Sequence, residues 1–288
     1  MRQPLISKSS LTSSPLALWL WVSITMLAFA GNALLCRLAL RQTSIDPASF
    51  TAIRLLAGAA ALWLLTRTRR PFDQAGSWLG ALALLGYAVS FAWAYRGLTA
   101  ATGALLLFGA VQLTMLITAF ARGERWRWSG WTGLTLALGG LVWLLLPGLH
   151  QPPLLDAGLM VLAGVAWGIY SLVGRGSAQP TADTAGNFIR AAPLACLGLL
   201  LVDPSMDARG VTLALLSGAL TSGLGYAIWY AVLPALRAST AATVQLTVPV
   251  ITAIGGIVLI GEAASWRLWI ASLAVLGGIA LVIHGGRR

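Results

Sequence analysis

Two arginines, Arg54 and Arg190, lie well inside long apolar stretches, each about two helical turns from the nearer end. A charge held in hydrocarbon costs several kcal/mol unless it is paired or hydrated, so both are candidates for contact with a substrate. The competing reading has each side chain snorkel to the near interface or bond to a neighbouring helix. The acids behave differently. Asp46, Asp73, Glu124, Asp156, Asp183, Asp203, Asp207 and Glu262 all fall in turns or at segment ends. A proton- or sodium-coupled pathway commonly needs a carboxylate in mid-membrane, so movement down a gradient is the expectation. Glu124 and Glu262 are expected to cap or brace their turns against nearby arginines. His150 and His284 also stand at segment ends, and Cys36 and Cys196 lie within apolar runs. No Ser/His/Asp grouping, metal-ligand spacing or phosphate loop is present, so neither an enzyme nor a bound cofactor or metal is expected.

Polar and aromatic residues recur in the middle of the apolar stretches. Asn32 and Phe29 share the first; Tyr87, Ser90 and Phe91 the third; Phe108 and Gln112 the fourth. Trp167, Tyr170 and Ser171 lie on the sixth, Ser222, Tyr226 and Trp229 on the eighth, and Gln245, Thr247 and Pro249 on the ninth. Spacings of three and four align side chains on one helical surface. Amides in hydrocarbon need partners, so Asn32, Gln112 and Gln245 should face the interior. Any one aromatic here is more simply a packing or lipid-facing residue. The set as a whole nominates a substrate site of Asn32, Tyr87, Phe91, Phe108, Gln112, Trp167, Tyr170, Tyr226, Trp229 and Gln245. Trp19, Trp21, Trp63, Trp78, Trp126, Trp128, Trp266 and Trp269 stand at segment ends and fit an interfacial belt.

The elements that must position these residues are membrane helices. The chain is 58% hydrophobic and 9% charged, with a mean hydropathy of +0.83, against roughly 25% charged residues in soluble domains. Ten segments reach the length of a membrane span, near 16–40, 47–66, 76–95, 100–121, 128–146, 154–174, 181–202, 208–233, 239–260 and 265–284. The polar start, MRQPLISKSSLTSSP, has no small-residue cleavage pattern, so the first segment reads as a retained helix. The net charge of +11 does not mark a nucleic-acid partner, because the arginines punctuate the apolar runs and form no patch.

The chain writes one unit twice. A shift of 138 positions places Gly123-Glu124 on Gly261-Glu262, Thr102 on Thr240, Trp128 on Trp266, Trp131 on Trp269 and Gly139-Gly140 on Gly277-Gly278. Arg54 and Arg190 correspond at a near-identical offset. Five segments per half is an odd number, so the second half enters the membrane upside down. The expected fold is all-α and integral to the membrane: ten transmembrane helices in two inverted five-helix repeats, residues 1–149 and 150–288. Twelve basic residues fall on one side, among them Arg2, Arg67, Arg122 and Arg288, and five on the other: Arg37, Arg41, Arg96, Arg209 and Arg267. That bias puts both termini in the cytoplasm, with the chain multi-pass in the inner (plasma) membrane.

Two five-helix halves, each with a Gly-Glu turn between its last two helices, resemble the drug/metabolite transporter superfamily, in particular its EamA-type members. LTVPVITAIGGIVLIGE, residues 246–262, carries the clearest match. The first half departs from it, with Val111 where the second has Pro249. The resemblance implies alternating-access export of small metabolites, commonly amino acids, including aromatic ones. It also implies a central cavity lined by helices one, three, four, six, eight and nine, with five and ten at the periphery. A lining of Tyr, Trp, Phe and Gln suits a substrate with an apolar ring and a polar end. A carrier of phosphorylated or other anionic metabolites using Arg54 and Arg190 is the alternative; a membrane enzyme or assembly scaffold would need polar clusters the sequence lacks. The expected partners are a small-molecule substrate and the lipid bilayer, for a monomer.

Overall fold

A computed structural model describes residues 14–66, 75–123, 128–147, 151–175, 177–236, 238–263 and 265–285. The first half holds α1 (Pro15–Gln42), α2 (Pro47–Thr66), α3 (Trp78–Ala94), α4 (Ala100–Ala121) and α5 (Trp128–Leu145). The second holds α6 (Leu154–Gly174), α7 (Pro180–Leu201), α8 (Ala208–Ala235), α9 (Ala238–Gln245, Thr247–Gly255 and Gly256–Ile260) and α10 (Trp266–Gly285). Among the described residues nine helices are long and apolar enough to cross a membrane, and α3 is a shorter apolar helix of 17 residues. The expected start of α3 at residue 76 is corrected to Trp78. Gly76 adopts a left-handed φ of 75°, and the Ser77 hydroxyl caps the helix by accepting from the Gly80 amide at 2.9 Å.

Large apolar side chains such as Leu201 (87% exposed) cover the outside, a surface that suits lipid rather than water. The helix starts are closed by side chains at the ends of the spans. Asp46 Oδ1 accepts from the amides of Ala48 and Ser49 at 2.8 and 2.9 Å, while its Oδ2 accepts from the Ser205 amide at 2.9 Å. Asp183, in the first turn of α7, accepts from the Gly76 amide at 2.9 Å and from the Ser177 hydroxyl. Each carboxylate thus fastens the loop of the opposite half.

Helix packing repeats when the halves are exchanged. Helix α3 packs on α6 as α8 does on α1; α4 packs on α6 as α9 does on α1; α3 meets α7 as α8 meets α2. The pairs α2–α7, α4–α9 and α5–α10 map onto themselves. This is the arrangement of two repeated units about a pseudo-two-fold axis. Gly123 and Gly261 take left-handed φ angles of 91° and 72°, so the same turn closes α4 and α9. Glu124 lies outside the described residues. Helices α5 and α10 touch at backbone distance: a Cβ on Gly133 would come within 2.5 Å of the Gly278 carbonyl oxygen, and the converse holds.

Two helices depart from regular α geometry. Helix α8 is π-helical over Ser217–Leu224. Helix α9 breaks at Leu246 and ends in a π-helical turn, Gly256–Ile260. Pro249 explains the break, because it has no N–H to offer the Gln245 carbonyl one turn back.

Candidate functional site

The polar centre of the bundle is built on the Tyr87 hydroxyl. It accepts from Asn32 Nδ2 and from Arg54 Nη2, both at 3.1 Å. Asn32 Oδ1 in turn accepts from the Ser217 hydroxyl at 2.8 Å and the Thr221 hydroxyl at 3.4 Å. Arg54 Nε donates to the Ser222 hydroxyl at 3.2 Å. All six side chains are buried. Ser217, Thr221 and Ser222 all lie on the π-helical segment of α8, whose wide turns present three hydroxyls to two other helices. Gly218 lets α2 approach there, since a Cβ on it would come against the Arg54 carbonyl oxygen. The network joins α1, α2, α3 and α8, and so joins both halves.

An aromatic cluster lies against this network. Trp167 is its hub, with ring centroids 4.9 Å from Tyr87, 5.0 Å from Tyr226 and 5.2 Å from Tyr170. Phe29 meets Tyr226 at 5.8 Å and Trp229 at 6.0 Å; Phe91 meets Tyr87 at 5.2 Å. Offset and edge-to-face pairs of this kind add about 0.5–1.5 kcal/mol each beyond their burial. Among the ten nominated residues, Asn32, Tyr87, Phe91, Phe108, Trp167 and Tyr226 line one central cavity, with Phe29, Ala33, Ala104 and Leu107. Its volume is about 20 Å³, room for about one water. The bundle is therefore contracted around its centre.

Four nominated residues stand outside that lining. Tyr170 and Trp229 form the second layer of rings, and the Tyr170 hydroxyl donates to Thr184 Oγ1 at 3.3 Å. Gln112 is buried at 3% exposure, one turn beyond Phe108 on α4. Gln245 is half-buried and its amide folds back to donate to the Ala241 carbonyl at 3.3 Å. The expectation that the Gln245 amide faces the interior for want of a partner is corrected: the preceding turn of its own helix supplies one.

The arginines also divide in a way the sequence does not announce. Arg54 is 1% exposed and reaches the centre. Arg190 donates instead to the carbonyls of Ala75 and Gly186, and its guanidinium stands 5.9 Å from the Trp78 ring centre. Arg37, grouped by sequence with the basic residues outside the membrane, is buried. Its Nε donates to Glu262 Oε1 at 2.7 Å, and its Nη1 to the carbonyls of Tyr95 at 2.8 Å and Arg96 at 3.1 Å. Glu262 Oε2 also accepts from the Ala100 amide at 2.7 Å. This cluster closes the end of the bundle where α1 and α9 finish and α4 begins. Glu262 thus braces its turn against an arginine, as expected, but one from the other half. Nothing local could have flagged Arg37, whose partner is remote in sequence. Among the described residues no three of His, Cys, Asp and Glu come together as a metal site would need.

Comparison with known proteins follows the same repeat. The EamA-like transporter family matches the chain twice, over residues 17–146 and 156–284. An uncharacterized protein of Pseudomonas aeruginosa is 55% identical over 264 residues, covering 90% of this chain and 92% of its own. The uncharacterized transporter YwfM of Bacillus subtilis is 26% identical over 263 residues, covering 87% and 88%. One protein of known crystal structure superposes with a TM-score of 0.65 at 24% identity, over 96% of this chain and 98% of its own, a likeness of fold. The twofold match, the helical bundle and its buried polar centre agree: the chain belongs to the EamA-like transporter family and is a multi-pass membrane transporter of small molecules.

Proposed function

We propose that the protein exports amino acids, aromatic ones included, by alternating access through the central cavity. The observation that carries this reading is the pairing of Trp167, set between Tyr87 and Tyr226, with the polar centre of Asn32, Tyr87 and Arg54. Rings supply apolar faces for a side chain, and the polar groups fix the other end. The nominated residues that line the cavity are proposed to touch substrate; Tyr170 and Trp229 hold the rings behind them. The contracted cavity has to widen before it admits an amino acid, by motion of one repeat against the other.

The same proposal places both termini in the cytoplasm and the chain in the inner membrane, as the charge bias suggests. Transport runs down the substrate gradient. Counterflow in proteoliposomes tests it with a panel of amino acids, phosphorylated sugars and organic cations. Exchange of aromatic amino acids that persists with a protonophore present is the expected result. Exchange of phosphorylated sugars alone would replace the reading with its anionic alternative.

A further inference from the structure

We infer that Arg54 seats an anionic group of the transported molecule, a carboxylate, and so decides which small molecules are carried. The inference rests on the amino-acid reading above and names the substrate group that Arg54 holds.

Arg54 carries a full charge at 1% exposure. Among the described residues it has no acidic partner; the ion pair they contain is Arg37–Glu262. Neutral groups surround it instead. The Ser222 and Tyr87 hydroxyls take Nε and Nη2, at 3.2 and 3.1 Å. The rings of Tyr87 and Phe91 stand with centroids 5.1 and 5.2 Å from Cζ. Ring faces and hydroxyls ease the burial of a cation but do not neutralise it. Among the described residues Nη1 is buried with no hydrogen-bond partner.

A guanidinium offers two flat edges. The side edge, Nε with Nη2, is taken up by the two hydroxyls. The end edge, Nη1 with the second hydrogen of Nη2, is the one left unmatched, and it fits a carboxylate by two parallel hydrogen bonds. Tyr87 and Phe91, the rings beside Arg54, both line the central cavity. A substrate whose ring lies among Trp167, Tyr87 and Tyr226 therefore has its acidic end within reach of Arg54 once the helices part. Arg190 does not duplicate this, because Nη1 there donates to two backbone carbonyls. The cation at the centre thus belongs to one half, which gives a polar molecule one preferred orientation.

The test uses the full chain, purified and reconstituted, with matched pairs: phenylalanine against phenylalaninamide, and 3-phenylpropionate against 3-phenylpropanol. Thermal protection and counterflow are read for the parent, Arg54→Gln, Arg54→Lys and the surface control Arg209→Gln. The acids should act at concentrations about tenfold lower, or more, than their partners without a carboxylate. Arg54→Gln should erase that preference, Arg54→Lys should keep part of it, and Arg209→Gln should leave it intact. Acids and their carboxylate-free partners behaving alike in the parent overturn the inference, as does a parent that none of the acids protects. Should Arg54→Gln not fold, the parent's preference and the Arg54→Lys variant decide. Phenylpropionate exchanging while phenylalanine is inert defeats the amino-acid reading and upholds Arg54. Phenylalanine and its amide exchanging equally does the reverse.

Discussion

Arg37 and Glu262 are 225 residues apart in the chain and 2.7 Å apart in the fold. Their side chains are 3% and 9% exposed, and the pair ties the end of α1 to the turn after α9. It also touches the turn between α3 and α4 through the Tyr95, Arg96 and Ala100 backbone. In the alternating-access proposal, opening the cavity toward this end would part these bonds.

Removing one partner of a buried pair leaves the other charge uncompensated, at about 3–5 kcal/mol. Glu262→Ala should therefore lower the unfolding temperature clearly. The double variant Arg37→Met, Glu262→Met should recover much of the loss, because an apolar replacement of both carries no stranded charge. Thermal unfolding of the purified variants checks this. Additive losses in the double variant would mean that the two side chains do not act as a pair.

The Tyr87 hydroxyl receives two buried donors. Tyr87→Phe keeps the ring but strands Asn32 Nδ2 and Arg54 Nη2, at about 1–3 kcal/mol for each unmade bond. Counterflow at matched protein amounts should fall by about an order of magnitude or more. Full activity in Tyr87→Phe would show the ring alone to be what the site uses.

Trp128 and Trp266 are 86% and 61% exposed, whereas Trp167 and Tyr226 border the cavity. Tyr226→Ala and Trp167→Ala should weaken transport by about tenfold or more. Trp128→Ala and Trp266→Ala should change it little once expression is normalised. Equal sensitivity of all four would assign the effect to folding and not to substrate contact.

Asp46 offers a pH test outside the membrane spans. Partial burial pushes its carboxyl up, but the Ser49 side chain and the amides of Ser49, Ser205 and Ala48 outweigh that and hold it below the ordinary carboxylate value of about 3.8. A depressed folded-state value means that the stabilisation is fully present above the unfolded value and is lost as pH falls through the folded one. Asp46→Asn should thus unfold at a lower temperature than the parent at neutral pH. The gap should close as the pH drops below about 4. A gap that is constant with pH would rule the ionised carboxylate out as its source.

Much of this molecule is legible without coordinates. Hydropathy locates the spans because lipid demands long apolar helices with every backbone group satisfied internally. The shift of 138 positions reveals the repeat, because both copies need left-handed glycines at the same turn, and Gly123 and Gly261 adopt them. Asn32 and Tyr87, which line the central cavity, stand out in the sequence because a polar group in hydrocarbon needs a partner.

Tertiary structure decided what helix-to-helix distances control. A helix that is apolar all round does not encode which face turns inward, so Gln245 and Gln112 look equivalent to Asn32 until the bundle is assembled. The break at Leu246 leaves the Gln245 amide bonded within its own helix, while the π-helical turns of α8 carry Ser217, Thr221 and Ser222 to Asn32 and Arg54. Arg54 and Arg190 are matched in sequence, yet one ends at the polar centre and the other at a loop carbonyl. Arg37 shows the limit most plainly. Its position near a span end is local and readable; its burial depends on Glu262 from the other half, and no local pattern records a partner that only folding brings within bonding distance.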